Sequence, residues 1–169
     1  ACWAPMINIC RDPRWGRCQE GYGEDPVLMS ELVSHYIPSL QHDPNAPQYY
    51  QALSTCKHFD AFSGPKNMGT ADSIVNYRDW KQTYLPAFKA CNEVGTSSYM
   101  CSYNAINGIA ACANRELLGD ILRDEWGFTG YVTSDCGAVP GVESQGNARN
   151  GIEAAQQAIK AGCDWVGSC

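Results

Sequence analysis

Asp135 has the strongest claim to chemistry in this chain. It follows the apolar run Tyr131-Val132-Thr133-Ser134 and precedes Cys136-Gly137, where a strand should open into a loop. A carboxylate at such a place can act as nucleophile, general base or metal ligand, and it can equally cap a loop. Lys57 and His58 close a second run, Ser54 to Phe59. On a continuous strand they would point to opposite sides, so both reach one rim only if the strand ends there, through a bend or a cis bond. Arg17 lies among glycines and aromatics in Trp15-Gly-Arg-Cys-Gln-Glu-Gly-Tyr-Gly23. Its rigid donor fork can grip vicinal hydroxyls or orient a carboxylate. The plainer use is an ion pair with Glu20 or Asp12. Tyr103 can donate a hydrogen bond to Asp135 or fill the core as an amphipathic ring.

Composition removes several classes of function. The 169 residues carry 12 Lys+Arg against 18 Asp+Glu, a formal charge of −6. Without a basic field the chain is not expected to bind nucleic acid or an anionic membrane. No stretch approaches the roughly 18 apolar residues of a membrane span. Gly21-Tyr-Gly23 is part of neither nucleotide-binding glycine motif. Ser102 and Ser134 lack the G-x-S-x-G context of a serine hydrolase. The chain has ten cysteines and three histidines, with no C-x-x-C or H-E-x-x-H, so a zinc site is not expected. The even cysteine count suits disulfides in an oxidising compartment, although no N-x-[ST] sequon accompanies it.

The elements that must position these residues alternate between apolar runs and helical patterns. Met6-Ile-Asn-Ile9 is a short first strand. Val27, Leu28, Glu31, Leu32 and Tyr36 fall at helical spacing, with Asp25 as cap and Pro26 in the first turn. Residues 41–50 read as an irregular loop, and a glycine-containing loop runs from the second strand to about Val75. A helix is predicted from about Asp79 to Val94, its inner stripe Trp80, Tyr84, Leu85, Phe88 and Cys91. Pro86 should bend or split it. A third strand over Ser98–Tyr103 leads into a turn at Asn104–Gly108. Asn114 should cap a helix to about Glu125, and Tyr131–Ser134 is the fourth strand. A loop is predicted over 140–150, then a helix over Ile152–Ala161 ended by Gly162, and a fifth strand at Cys163–Val166 with Asp164 at its start. The later strands recur about every 33 residues, the size of a βα unit. The fold class is therefore α/β with parallel strands. Either a doubly wound sheet or a (β/α)8 barrel fits, and in both the ligand meets the carboxyl ends of the strands. Five units cannot close a barrel, so a barrel reading makes this chain an incomplete arc.

The motifs resemble glycoside hydrolase family 3, and more closely its β-xylosidase and α-arabinofuranosidase branch. The resemblance rests on Arg11-Asp-Pro-Arg-Trp-Gly-Arg17 with Gly23-Glu-Asp-Pro26, Cys56-Lys-His-Phe59, Met100-Cys-Ser-Tyr-Asn-Ala-Ile-Asn-Gly108 and Glu125-Trp-Gly-Phe-Thr-Gly-Tyr-Val-Thr-Ser-Asp135. Trp80 to Ala90 adds to it. It implies a secreted, retaining, exo-acting enzyme that needs no cofactor, with a barrel first domain and a second α/β sandwich domain. Asp135 would be the nucleophile. Arg17, Lys57, His58 and Tyr103 would bind the sugar, with Met100 lining the pocket and the Lys57–His58 bond cis. Trp15 and Tyr22 could stack on a sugar face. The expected substrate is a xylo-oligosaccharide or another β-glycoside. β-Glucosidase, α-L-arabinofuranosidase and a non-catalytic sugar-binding or structural role are the alternatives. The family's acid/base Glu belongs to the second domain, and a further sugar-gripping carboxylate belongs ahead of Ala1. Of the local glutamates, Glu20, Glu125 and Glu143, none matches the acid/base position. Alone, these 169 residues are expected to show little or no turnover, and their open strand edges to make a poorly stable monomer.

Overall fold

The computed structural model describes residues 2–64 and 71–167. Of the loop predicted up to Val75, residues 65–70 lie outside the described residues. After an extended N-terminal segment, a short 3-10 turn at Cys18–Glu20 precedes helix α1 (Pro26–Gln41). Asp25 caps α1 by accepting from the N–H groups of Val27 and Leu28. Its buried stripe is Met29, Val33, Ile37 and Gln41, while Val27, Leu28 and Leu32 face outward. The helix predicted from the spacing of Val27, Leu28, Glu31, Leu32 and Tyr36 is present, and of these Tyr36 packs against the core.

Strand β1 (Thr55–Phe59) follows the loop, then a two-residue strand β2 (Asp72–Ser73). Helix α2 (Tyr77–Asp79) runs into a π-wound turn at Trp80–Tyr84 and then α3 (Pro86–Glu93). The N–H of Leu85 reaches back five residues to the Trp80 carbonyl. This widened turn lets Pro86 open a new helix at its first position, where a missing N–H costs nothing. The helix predicted over Asp79–Val94 is thus split at Pro86, as its sequence requires.

Strand β3 (Ser98–Cys101) leads into a hairpin of β4 (Ala105–Ile106) and β5 (Ile109–Ala110). Its two turn residues are Asn107 and Gly108, both with positive φ (50° and 85°), as a two-residue hairpin demands. A 3-10 turn at Ala111–Ala113 precedes the π-wound helix Glu116–Glu125, where Asn114 accepts from the Leu117 N–H. Strand β6 (Tyr131–Ser134) is followed by α4 (Ala138–Ser144) and α5 (Gly151–Ala161). The loop predicted over 140–150 is therefore wrong in its first half. Pro140 falls in the first turn of α4, where it is tolerated.

Strands β1, β3 and β6 form one parallel sheet in the order of the chain. Parallel bridges Cys2↔Ser54 and Met6↔Lys57 add the N-terminal segment on one side, and Thr133↔Trp165 adds the last segment on the other. Five parallel segments thus lie side by side in sequence order, with no reversal. A doubly wound sheet reverses at a switch point, so this is the wall of a (β/α)8-type barrel, not closed into a full barrel. Alternate side chains divide between its faces. Cys56, Tyr99, Cys101 and Val132 join the helices in the main core with Phe59, Phe88 and Leu118. Thr55, Ser98 and Thr133 sit on the other face, where the Thr55 and Ser98 hydroxyls meet at 2.6 Å. No helix among the described residues is long and apolar enough to cross a membrane.

Candidate active site

Asp135 leaves the carboxyl end of β6, its N–H donating to the Cys101 carbonyl at the end of β3. The Lys57–His58 peptide bond is cis, and the β1–β3 register shifts between Lys57 and Phe59. His58 turns toward Asp135, its Nε2 3.3 Å from Oδ2. Lys57 pairs in register with Met100, which is 1% exposed and stands outside the helix-facing core. Met100 is therefore on the same face as Lys57.

The Asp135 carboxyl is buried, with 9% of the side chain exposed. Burial pushes its pKa up. The Cys136 N–H, the Tyr103 hydroxyl and the positive charges of Lys57 and Arg17 pull it down, and burial prevails. Oδ1 accepts from the Cys136 N–H at 2.7 Å, whereas Oδ2 is buried without a hydrogen bond. The Tyr103 hydroxyl favours the charged form of the Asp135 carboxylate. Its own pKa is pushed up to about 12 by burial and then by the Asp135 charge. His58 is driven the other way, to about 2, by burial and the charges of Arg17 and Lys57.

Arg17 comes from the loop after the first strand segment, which the Cys10–Cys18 disulfide closes. Its Nε and one terminal nitrogen bind the two Glu20 oxygens at 2.6 and 2.8 Å. The ion pair offered as its plainer use is therefore formed, and the Asp135 charge still reaches the guanidinium. Trp15 is buried edge-on against Phe62 at 5.8 Å, a place in a small apolar cluster rather than an open stacking platform. Tyr22 is 37% exposed.

Two site residues are absent from the sequence-based set. Phe62 sits at the hub: its ring meets His58 at 5.3 Å, Tyr103 at 5.8 Å and Trp15, and Arg17 lies over it at 5.6 Å. The only signal was an aromatic three residues beyond the second strand. Asn8 bonds to His58 and is masked in sequence by the apolar residues around it.

Three positions, Arg17, Lys57-His58 and Tyr103, therefore converge with Asp135 at the carboxyl ends of neighbouring parallel strands. A carboxylate with one bare oxygen, flanked by two cations and a phenol, can attack an electrophilic carbon once ionised. Glu20 and Glu125 are poorly suited as proton donors. Arg17 holds the Glu20 pKa down and Lys81 does the same to Glu125, opposite to what a general acid needs. Among the described residues, no three His, Cys, Asp or Glu side chains group as a metal site would. A cleft of about 490 Å³ opens at the other ends of the strands, lined by Leu53, Thr96, Ser97 and Tyr131. It lies away from the carboxyl-end rim that carries ligands in such barrels.

Residues 1–167 match the family model described as glycosyl hydrolase family 3 N terminal domain. A protein of Arabidopsis thaliana named Probable beta-D-xylosidase 7 is 42% identical over 173 residues, covering 96% of this chain and 23% of its own length. The solved structure of a GH3 exo-beta-xylosidase, XlnD, with a xylobiose aziridine probe shares 36% identity at a TM-score of 0.89, over 97% of this chain and 22% of that one. The beta-glucosidase of Listeria innocua shares 37% identity at a TM-score of 0.90, over 98% of this chain and 24% of that one. The chain thus spans less than a quarter of the length of these proteins.

Proposed function

Because the chain belongs to glycosyl hydrolase family 3, we propose that it carries the nucleophile and part of the sugar site of a retaining exo-acting β-xylosidase, releasing xylose from the non-reducing ends of xylo-oligosaccharides. The observation that supports this most is the placing of Asp135 Oδ2, unbonded, 3.3 Å from His58 and within the field of Lys57 and Arg17. In this reading Asp135 attacks the anomeric carbon, the glycosidic oxygen leaves, and a glycosyl ester forms on Asp135. Arg17, Lys57, His58 and Tyr103 hold sugar hydroxyls, and Met100 lines the floor. A second carboxyl group protonates the leaving oxygen and then activates water, standing roughly 5–5.5 Å from the first. We assign it to a second α/β domain outside these 169 residues. The Cys10–Cys18 and Cys101–Cys112 disulfides support secretion.

A β-glucosidase is the second reading, supported by the equally close fold of the Listeria innocua enzyme. The test uses 2-deoxy-2-fluoro-xylosyl fluoride and its glucosyl counterpart. Fluoride departs without a proton donor, so no second domain is needed for the first step. Asp135 should be esterified by the xylosyl reagent faster than by the glucosyl one, as read by intact mass and peptide mapping. The reverse preference selects the β-glucosidase. Failure to label Asp135, or equal labelling of Asp135→Asn, would sink both readings.

A further inference from the structure

Asn8 is buried, 2% exposed, in the segment Met6–Ile9, and its side chain bonds to one residue, His58. The His58 backbone N–H donates to Asn8 Oδ1 at 2.7 Å, and Asn8 Nδ2 donates to the His58 carbonyl at 2.8 Å. A backbone N–H can only donate and a carbonyl can only accept. These two bonds therefore fix which end of the Asn8 amide is oxygen, an assignment otherwise open to a flip. The imidazole Nδ1 lies 3.1 Å from that same Oδ1. Facing an atom that can only accept, Nδ1 must carry a proton.

We infer that Asn8 is a positioning residue that holds His58 as the Nδ1–H tautomer, leaving Nε2 a bare acceptor beside the Asp135 carboxylate. The other neighbours of the ring agree with a neutral imidazole. Phe62 covers it edge-on at 5.3 Å, and the charges nearest it besides Asp135 are the cations Arg17 and Lys57. Nε2 and Asp135 Oδ2 are then two acceptors 3.3 Å apart with no proton between them. Such a pair is unsatisfied until a ligand supplies a hydroxyl. The site therefore selects a ligand that donates a hydrogen bond at this point, and a methyl ether or fluorine in its place would lose that contact. It also means that His58 does not bond to Oδ2, whose lone pairs stay free to attack. That last consequence rests on the proposed glycosidase reading; the tautomer does not.

The test is a long-range ¹H–¹⁵N correlation spectrum of the ¹⁵N-labelled 169-residue chain at neutral pH, without sugar. Only three histidines contribute, and His35→Gln and His42→Gln variants assign the third. His58 should show a protonated, pyrrole-type Nδ1 and an unprotonated, pyridine-type Nε2. Asn8→Ala should exchange the two patterns, because the Nε2–H form can then donate to Asp135. Asn8→Asp keeps an acceptor at the same place and should keep Nδ1 protonated. An Nε2–H or doubly protonated ring in the unsubstituted chain would overturn the inference, as would an Asn8→Ala spectrum with the pattern unchanged. If Asn8→Ala fails to fold, the other two spectra still decide. Failure of Asp135 to take a glycosyl label would leave these spectra as they are, so the two ideas fail separately.

Discussion

Glu20 decides what Arg17 can offer a ligand. With two of its three nitrogens engaged, the guanidinium is held over Phe62 with its free edge and charge left for the rim. The pair is partly exposed, so its own worth in stability is at most about 1 kcal/mol. Its effect on positioning should be larger. Glu20→Ala should slow esterification of Asp135 by the fluorosugar about tenfold, the scale of a charged hydrogen bond, while thermal stability changes little. An unchanged rate would show that Arg17 needs no clamp. The same assay reports the ionisation of Asp135. Only the carboxylate attacks, and burial raises its pKa above the ordinary 3.8, so the rate should climb with pH through a midpoint above that value. Lys57→Met and Tyr103→Phe each remove a group that favours the charge, so each should move the midpoint further up. A midpoint that moves down, or stays, would contradict the electrostatics described here. The convergence of these residues is legible in the sequence because each follows an apolar run closely, and parallel strands bring such ends together. Asn8 and Phe62 are not legible in the same way. Asn8 reads as an interruption of an apolar strand, and Phe62 as one aromatic in a loop, until partners distant in sequence are known.

Elements are tied to one another by a few buried polar contacts, and Asp60 is the clearest. It follows β1 through a cis Phe59–Asp60 bond and is wholly buried. Its Oδ2 accepts from Trp80 Nε1 at 2.7 Å, which joins the end of the strand to the π-wound turn before α3. Oδ1 has no partner, and burial pushes the carboxyl up to about 7. Between pH 4 and 7 the folded chain therefore keeps a proton that the unfolded chain releases. Stability from this group is greatest below about pH 4, declines as pH rises to about 7, and is flat above. The full span is about 3 units, of order 4 kcal/mol. Asp60→Asn keeps an acceptor for Trp80 and cannot ionise. It should flatten this part of the stability–pH curve in urea titrations and make the chain more stable than the parent at pH 8. A parallel curve for the two proteins would show that Asp60 does not titrate in this range. The elements themselves follow local chemistry closely. Asp25, Asn114 and Asn150 cap where a short polar side chain precedes a helical run. Gly162 ends α5 in the left-handed region. The reading fails at α4, because Gly137, Pro140 and Gly141 look like a loop. Only the packing of Ala138, Val139 and Val142 into the core distinguishes it.

At the scale of the molecule, two disulfides whose cysteines both lie among the described residues brace the wall in different ways. Cys10–Cys18, a sequence separation of 8, closes a loop on the rim and holds Arg17, which lies inside it. Cys101–Cys112 joins the end of β3 to the 3-10 turn at Ala111–Ala113, a separation of 11 residues, with both sulfurs' residues buried. Loop-closure entropy gives the shorter about 2.5 kcal/mol and the longer about 2.8 kcal/mol of stabilisation, so the two bonds are nearly equal by that measure. Their accessibility is not equal. Cys10 and Cys18 are only partly buried, whereas Cys101 and Cys112 are covered by the core that Tyr99, Leu118 and Ala158 also share. A thiolate must reach a sulfur to reduce it. Under native conditions a mild reductant followed by alkylation should therefore mark Cys10 and Cys18, together with the partly exposed free thiol Cys2. Cys101 and Cys112 should stay unmarked, with the buried thiols Cys56, Cys91 and Cys163, until the sheet unfolds. In the partly reduced state the rim loop is released while the strands remain paired. Esterification of Asp135 should then fall while the far-ultraviolet dichroism is retained. If alkylation marks all these cysteines at one rate, or if the circular dichroism collapses as the first disulfide opens, the rim loop and the wall unfold as one unit rather than in sequence.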